Sequence, residues 1–93
     1  MYRVKYDKKF LKKFKKLIKN GLKQKYIDDI YQVIDTLSSG KKLESLYRDH
    51  KLTGELDGYR ECHIQGDLLL IYQIYESELV LVLIDIGSHS EIF

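Results

Sequence analysis

The chain has no proline, and among its 93 residues there is only one cysteine. With no proline, no repeat and no low-complexity stretch, nothing marks a linker, so residues 1–93 read as one continuous domain. A lone Cys62 excludes an internal disulfide and fits a reducing compartment, and its simplest role is that of a small buried apolar group. Long hydrophobic runs are also missing. The longest apolar stretch is interrupted before it could span a bilayer, and no charged, apolar and small-residue succession at the N-terminus reads as a signal peptide. The expectation is a cytoplasmic protein without membrane contact. At 44% hydrophobic and 32% charged, a core is possible but thin, and a binding partner would suit so small a domain.

The net charge of +2 conceals a separation. Residues 1–25 carry eleven lysines and arginines against Asp7 alone, a local charge of +10, which leaves five against thirteen, or −8, for the remainder. A basic segment on a nearly neutral chain suggests an anion-binding face, most simply for a phosphate backbone. The plain alternative is a solvated helix.

Tyr2, Val4 and Tyr6 alternate with Arg3 and Lys5 as in a short strand. Asp7 can cap the following helix and Gly21 can end it. Between them Phe10, Leu11, Phe14, Leu17 and Ile18 fall on one arc about 120° wide at helical spacing. Lys8, Lys9, Lys12, Lys13, Lys15, Lys16 and Lys19 fill the opposite arc, which predicts a core face and a cationic face. A second amphipathic helix is predicted from about Gln24 to Ser38, stopped by Gly40, and packed on the first as an antiparallel hairpin. Residues 41–58 read as a connecting region. Three strands follow, Gly58 to Ile64, Asp67 to Tyr75 and Leu79 to Ile86, with loops short enough for hairpins. The order β-α-α-β-β-β predicts an α+β fold, an antiparallel sheet covered by the helical pair.

All three histidines lie in the second half, in the run His50, His63, Asp67, His89, Phe93. Histidine titrates near neutrality and is the side chain most used as a general acid or base. A three-residue loop Ile64-Gln65-Gly66 would put Gly66 in the left-handed conformation such loops need and set His63 opposite Asp67. A loop Glu76-Ser77-Glu78 would pair Tyr75 with Leu79 and set Asp67 opposite Gly87, with His89 leaving the strand at the same end. At strand spacings of about 4.8 Å, these groups would ring a pocket roughly 10 Å across. His50 has no predictable path, and each residue taken singly has a plain structural reading.

The stretch His50-Lys51-Leu52-Thr53-Gly54, then Gly58-Tyr59-Arg60, His63, Asp67, Leu70-Ile71-Tyr72, Gly87, His89 and Phe93 resembles the YafQ branch of the RelE/ParE toxin superfamily. The resemblance covers the whole chain in element order and is most specific over residues 50–93. It implies an endoribonuclease toxin that cleaves messenger RNA in the ribosomal decoding site and is held inactive by a cognate antitoxin. It also implies that His50, His63, Asp67, His89 and Phe93 are the active-site residues, with no cofactor and no metal.

Cleavage of that kind needs a base for the ribose 2′-hydroxyl, cationic stabilisation of the phosphorane and an acid for the departing 5′-oxygen. The expected roles are His89 as acid, Asp67 as base or as the group orienting a histidine base, His50 and His63 on the scissile phosphate, and Phe93 stacked on a base. Arg60 is either a phosphate contact or an ion-pair partner within the sheet, and the lysine helix would grip ribosomal RNA. Three other readings stay open at this point: a ParE-like gyrase inhibitor, a metal-dependent hydrolase using the histidines and Asp67, and a non-catalytic RNA-binding module.

Overall fold

The computed structural model describes residues 1–93. Strand β1 (Arg3–Tyr6) leads directly into helix α1 (Lys8–Lys19), and α2 (Gln24–Ser38) follows after a short turn. A 3₁₀ turn at Ser45–Tyr47 precedes a two-residue strand β2 (His50–Lys51), and another at Gly54–Leu56 precedes β3 (Arg60–Gln65). Strands β4 (Leu68–Tyr75) and β5 (Val80–Ser88) complete the sheet, and a last helical turn α3 (His89–Ile92) ends the chain. The sheet order is β1-β5-β4-β3-β2. Strands β2 to β5 are antiparallel as expected, whereas β1 joins β5 in parallel. The helical pair therefore carries the chain from one edge of the sheet to the other. No helix is long and apolar enough to cross a membrane.

Local chemistry accounts for the helix ends. The Asp7 carboxylate accepts the Lys9 amide at 2.8 Å, and Gly21, at φ +93°, takes the left-handed conformation beyond the end of α1. Phe10 and Phe14 enter the core with Ile30, Val33, Ile34 and Leu37 of α2 and Cys62, Ile64, Leu70, Tyr72, Leu81, Leu83 and Ile86 of the sheet. The predicted apolar arc of α1 is only partly used, because Leu11 and Ile18 remain exposed. The two helices rest on different strands, α1 on β5 and α2 on β3, and Phe14 meets Tyr31 edge-on at 6.0 Å.

Both hairpin registers differ from expectation. The first turn is Gly66-Asp67, with Gly66 at φ +51°. Ile64 forms a bulge that keeps its side chain in the core, so Gln65 pairs with Leu68 and His63 with Leu69, not with Asp67. The second loop runs from Glu76 to Leu79, with Leu79 itself left-handed at φ +53°, so Tyr75 pairs with Val80. A second irregularity, between Ile71 and Tyr72, then sets Leu69, not Asp67, opposite Gly87. Each displacement at the functional end is two residues, and the side-chain period of a strand is two. The predicted faces survive although the predicted partners do not.

Candidate active site

Residues directly opposite in a ladder share a face, so His63, Leu69 and Gly87 form one row across β3, β4 and β5, on the face turned away from the helical core. Glu61 lies two residues before His63 on the same face, and His50 sits opposite Glu61 on β2. The result is a buried carboxylate, 5% exposed, between two imidazoles. Glu61 Oε1 is 3.4 Å from His50 Nε2 and 3.3 Å from His63 Nε2, and the two rings stand 6.2 Å apart.

Arg48 ties the two histidines together. Its carbonyl accepts from His50 Nδ1 at 2.7 Å, and its guanidinium lies 3.2 Å from His63 Nδ1. Because a carbonyl only accepts and a guanidinium only donates, His50 carries a proton on Nδ1 and His63 carries its proton on Nε2. With Nδ1 thus occupied, His50 turns its Nε2 toward Glu61. Arg48 itself is left-handed, at φ +47°, an uncommon conformation for a residue with a side chain.

The second group occupies the same end of the sheet. Ser88 caps α3 through a reciprocal box: its hydroxyl accepts the Glu91 amide at 3.3 Å, and Glu91 accepts the Ser88 amide at 2.8 Å. Those hydrogen bonds from Ser88 hold the Glu91 carboxyl below the usual range. The Asp67 carboxylate accepts the main-chain N–H of His89 at 3.2 Å, and the His89 and Phe93 rings lie 4.9 Å apart. His89 follows Gly87 by two residues, so its Cα stands roughly 12 Å from that of His63, two strand spacings across and two residues along.

Beneath this end, α1 is bound to the sheet through charge. Asp85, 3% exposed, accepts Lys13 at 2.7 Å and Lys9 at 3.1 Å. Burial alone would raise its pKa, but hydrogen bonds from Lys13, Lys9 and the Ile86 amide outweigh it, and the net shift is downward. Gly87 is the adjoining floor: a Cβ there would stand 3.2 Å from Glu91 Oε1 and 3.4 Å from Lys13 Nζ.

The structure therefore brings together His50 and His63 in one group and Asp67, His89 and Phe93 in another, at one end of one face. Arg60 takes the second of its two expected roles, that of an ion-pair partner. Arg60 faces the helical side, where it binds Asp49 at 3.0 Å and approaches the Tyr72 hydroxyl, itself bonded to Asp49; neighbours on a strand point to opposite faces, and Glu61 takes the site face. Lys9 and Lys13 are engaged by Asp85, whereas Lys8, Lys12, Lys15, Lys16 and Lys19 stay exposed.

Glu61 and Arg48 went unrecognised in the sequence. The signal for Glu61 was there: Glu61-x-His63 inside a strand pattern puts an acid and an imidazole side by side. A cleft of about 1020 Å³ runs between the end of α2 and Arg60 and contains none of the histidines.

The chain matches, over residues 2–93, the family described as bacterial toxin of type II toxin–antitoxin system, YafQ. It is 43% identical over 75 residues to a YafQ toxin of Haemophilus influenzae, covering 76% of this chain and 70% of that one. It is 35% identical over 51 residues to the mRNA interferase toxin YafQ of Escherichia coli, where the match spans 55% of this chain and 53% of the relative. YafQ in the E. coli DinJ–YafQ complex superimposes with a TM-score of 0.85 at 26% identity, covering 100% of this chain and 99% of that one. A metal-bound toxin from Helicobacter pylori superimposes with a TM-score of 0.88 at 44% identity over the full length of both chains. The chain belongs to the YafQ family of toxins from bacterial type II toxin–antitoxin systems.

Proposed function

We propose that this toxin is a ribosome-dependent endoribonuclease of the cytoplasm that cuts messenger RNA by acid-base catalysis and is neutralised by a cognate antitoxin. The observation that carries this reading is the Glu61 carboxylate set between His50 and His63, at the sheet end where His89 emerges. The E. coli relative is named an mRNA interferase and its structural counterpart is bound to DinJ, which supports both substrate and partner.

The roles follow from hydrogen-bond chemistry. Neutral His50, its Nδ1 proton held by the Arg48 carbonyl, offers Nε2 as the base for the 2′-hydroxyl, and Glu61 stabilises the imidazolium that forms. The Arg48 guanidinium faces the phosphate as its charge develops, and the Nε2–H of His63, turned to Glu61, holds that carboxylate in place. From the opposite side His89 protonates the departing 5′-oxygen, and Phe93 stacks on a splayed base. Asp67 acts on His89 through the main chain, orienting it without exchanging a proton. The exposed lysines of α1 bind ribosomal RNA.

Attack by the 2′-hydroxyl leaves a 2′,3′-cyclic phosphate or its hydrolysis product on the upstream fragment. End-group analysis of messenger cut on translating ribosomes is expected to find that end, with little cutting of free RNA. A free 3′-hydroxyl on the upstream fragment would rule the mechanism out.

A further inference from the structure

We propose that Asp49, Arg60 and Tyr72 are positioning residues for cleavage: they clamp the edge strand β2 from behind, so that His50 on its front is held against Glu61 with its Nδ1 proton on the Arg48 carbonyl. The proposal rests on the role given to His50 above. Strand β2 is two residues long and lies at the edge of the sheet, joined to β3 alone through the pairs His50–Glu61 and Lys51–Arg60. So short a ladder is weak support for an exposed ring that must be aimed.

The support comes from the other face. His50, Glu61 and Ile71 lie opposite one another across β2, β3 and β4 on the face of the site. Asp49, Arg60 and Tyr72 are the chain neighbours of those three, and neighbours on a strand point to opposite faces. Arg60 Nη2 donates to Asp49 Oδ2 at 3.0 Å, and its Nε lies 3.4 Å from both Asp49 Oδ1 and the Tyr72 hydroxyl. That hydroxyl donates in turn to Asp49 Oδ1. Both Asp49 oxygens are thus held by side chains of β3 and β4, in the two-pronged geometry that gives a guanidinium–carboxylate pair its directional specificity. Tyr72 is 1% exposed, and burial together with the Asp49 hydrogen bond pushes its hydroxyl well above the usual range, so it remains a donor fixed in the core.

Asp49 stands between two residues of the site. Arg48 is left-handed at φ +47°, a conformation that a residue with a side chain keeps only where its surroundings enforce it. The clamp holds it on one side and the contact with His63 on the other. That turn aims the Arg48 carbonyl at His50 Nδ1, 2.7 Å away. Release of Asp49 lets Arg48 relax and removes the acceptor that orients the His50 ring.

Two conservative variants test the clamp. Tyr72→Phe keeps the ring in the core and removes the hydroxyl, and Asp49→Asn keeps the shape and removes the charge. Nitrogen-15 imidazole spectra of the full-length toxin in mildly alkaline solution are expected to show the proton on His50 Nδ1 in wild type and its shift toward Nε2 in both variants, because the tautomer follows the hydrogen bond that the ring makes. In single-turnover cleavage on translating ribosomes both are expected to lose about 10- to 10²-fold in maximal rate, with antitoxin affinity and the ribosome concentration for half-maximal cleavage unchanged. Added to His50→Ala, Asp49→Asn is expected to cost less than it costs wild type, whereas added to His89→Ala it costs the same factor. An Nδ1 proton that stays in place in both variants, or wild-type cleavage by both, would overturn the proposal. Equal losses in the two backgrounds, or a loss that only follows the unfolded fraction in a thermal melt, would overturn it too. The spectra are taken without RNA, so they read the clamp separately from the end-group analysis that tests acid-base cleavage.

Discussion

The carboxylate of Asp67 accepts the main-chain N–H of His89 at 3.2 Å, which joins the β3–β4 turn to the first residue of α3. Asp67 therefore fixes where the His89 ring starts. An asparagine keeps an acceptor oxygen at that place, whereas alanine removes it. Asp67→Asn is expected to retain cleavage within a few-fold of wild type while Asp67→Ala loses about tenfold or more, in single-turnover assays on ribosomes. Equal and severe losses in both would return Asp67 to the role of base.

Glu61 has the opposite signature. Its charge stabilises the His50 imidazolium, so the isosteric Glu61→Gln removes the function with little change in shape. A fall in cleavage of about 10²- to 10⁴-fold is expected, with the thermal midpoint within a few degrees of wild type.

Much of this was legible in the sequence, for identifiable reasons. The Asp7 cap, the Gly21 stop and the two amphipathic helices are local signals, and they hold. His63 and Gly87, two residues before His89, share a face because both register errors were even: the Ile64 bulge, the left-handed Leu79 and the second irregularity moved partners by two places, which preserves the face. Leucine carries no turn signal and an apolar bulge leaves no compositional mark, so neither was visible. Which of its two expected roles Arg60 takes was not legible because its partner Asp49 comes from a loop of unpredictable path. Arg48 was missed for the same reason, and Lys9 and Lys13 looked free because the buried acid that holds them lies over seventy residues away.

Asp85 predicts a pH dependence of stability. Its folded pKa lies below the ordinary value of 3.8, so its contribution is fully present above that value and is lost as pH falls through the lower, folded one. Asp85→Asn is expected to cost about 1–3 kcal/mol at pH 7, less than a fully trapped pair because Lys9 can return to water. Urea unfolding should show the gap between the two proteins closing below about pH 3.8. A gap of constant size down to pH 2 would mean the ion pairs contribute nothing.

The lysines of α1 divide into two sets. Lys12→Ala and Lys16→Ala are expected to weaken ribosome binding and to reduce its logarithmic salt slope by about 0.7–0.9 for each phosphate no longer neutralised, without affecting the fold. Lys13→Ala is expected to lower stability instead. Sedimentation with ribosomes over a salt series, beside a thermal melt of each variant, separates these effects.

The central claim is that His89 completes an acid-base site whose other half is His50, Glu61 and His63. Its most direct test is single-turnover cleavage of messenger on translating ribosomes by wild type and His89→Ala, with antitoxin binding measured as the control for folding. A loss of at least about 10²-fold with antitoxin affinity intact is the predicted result. Equal cleavage by the two proteins would contradict it.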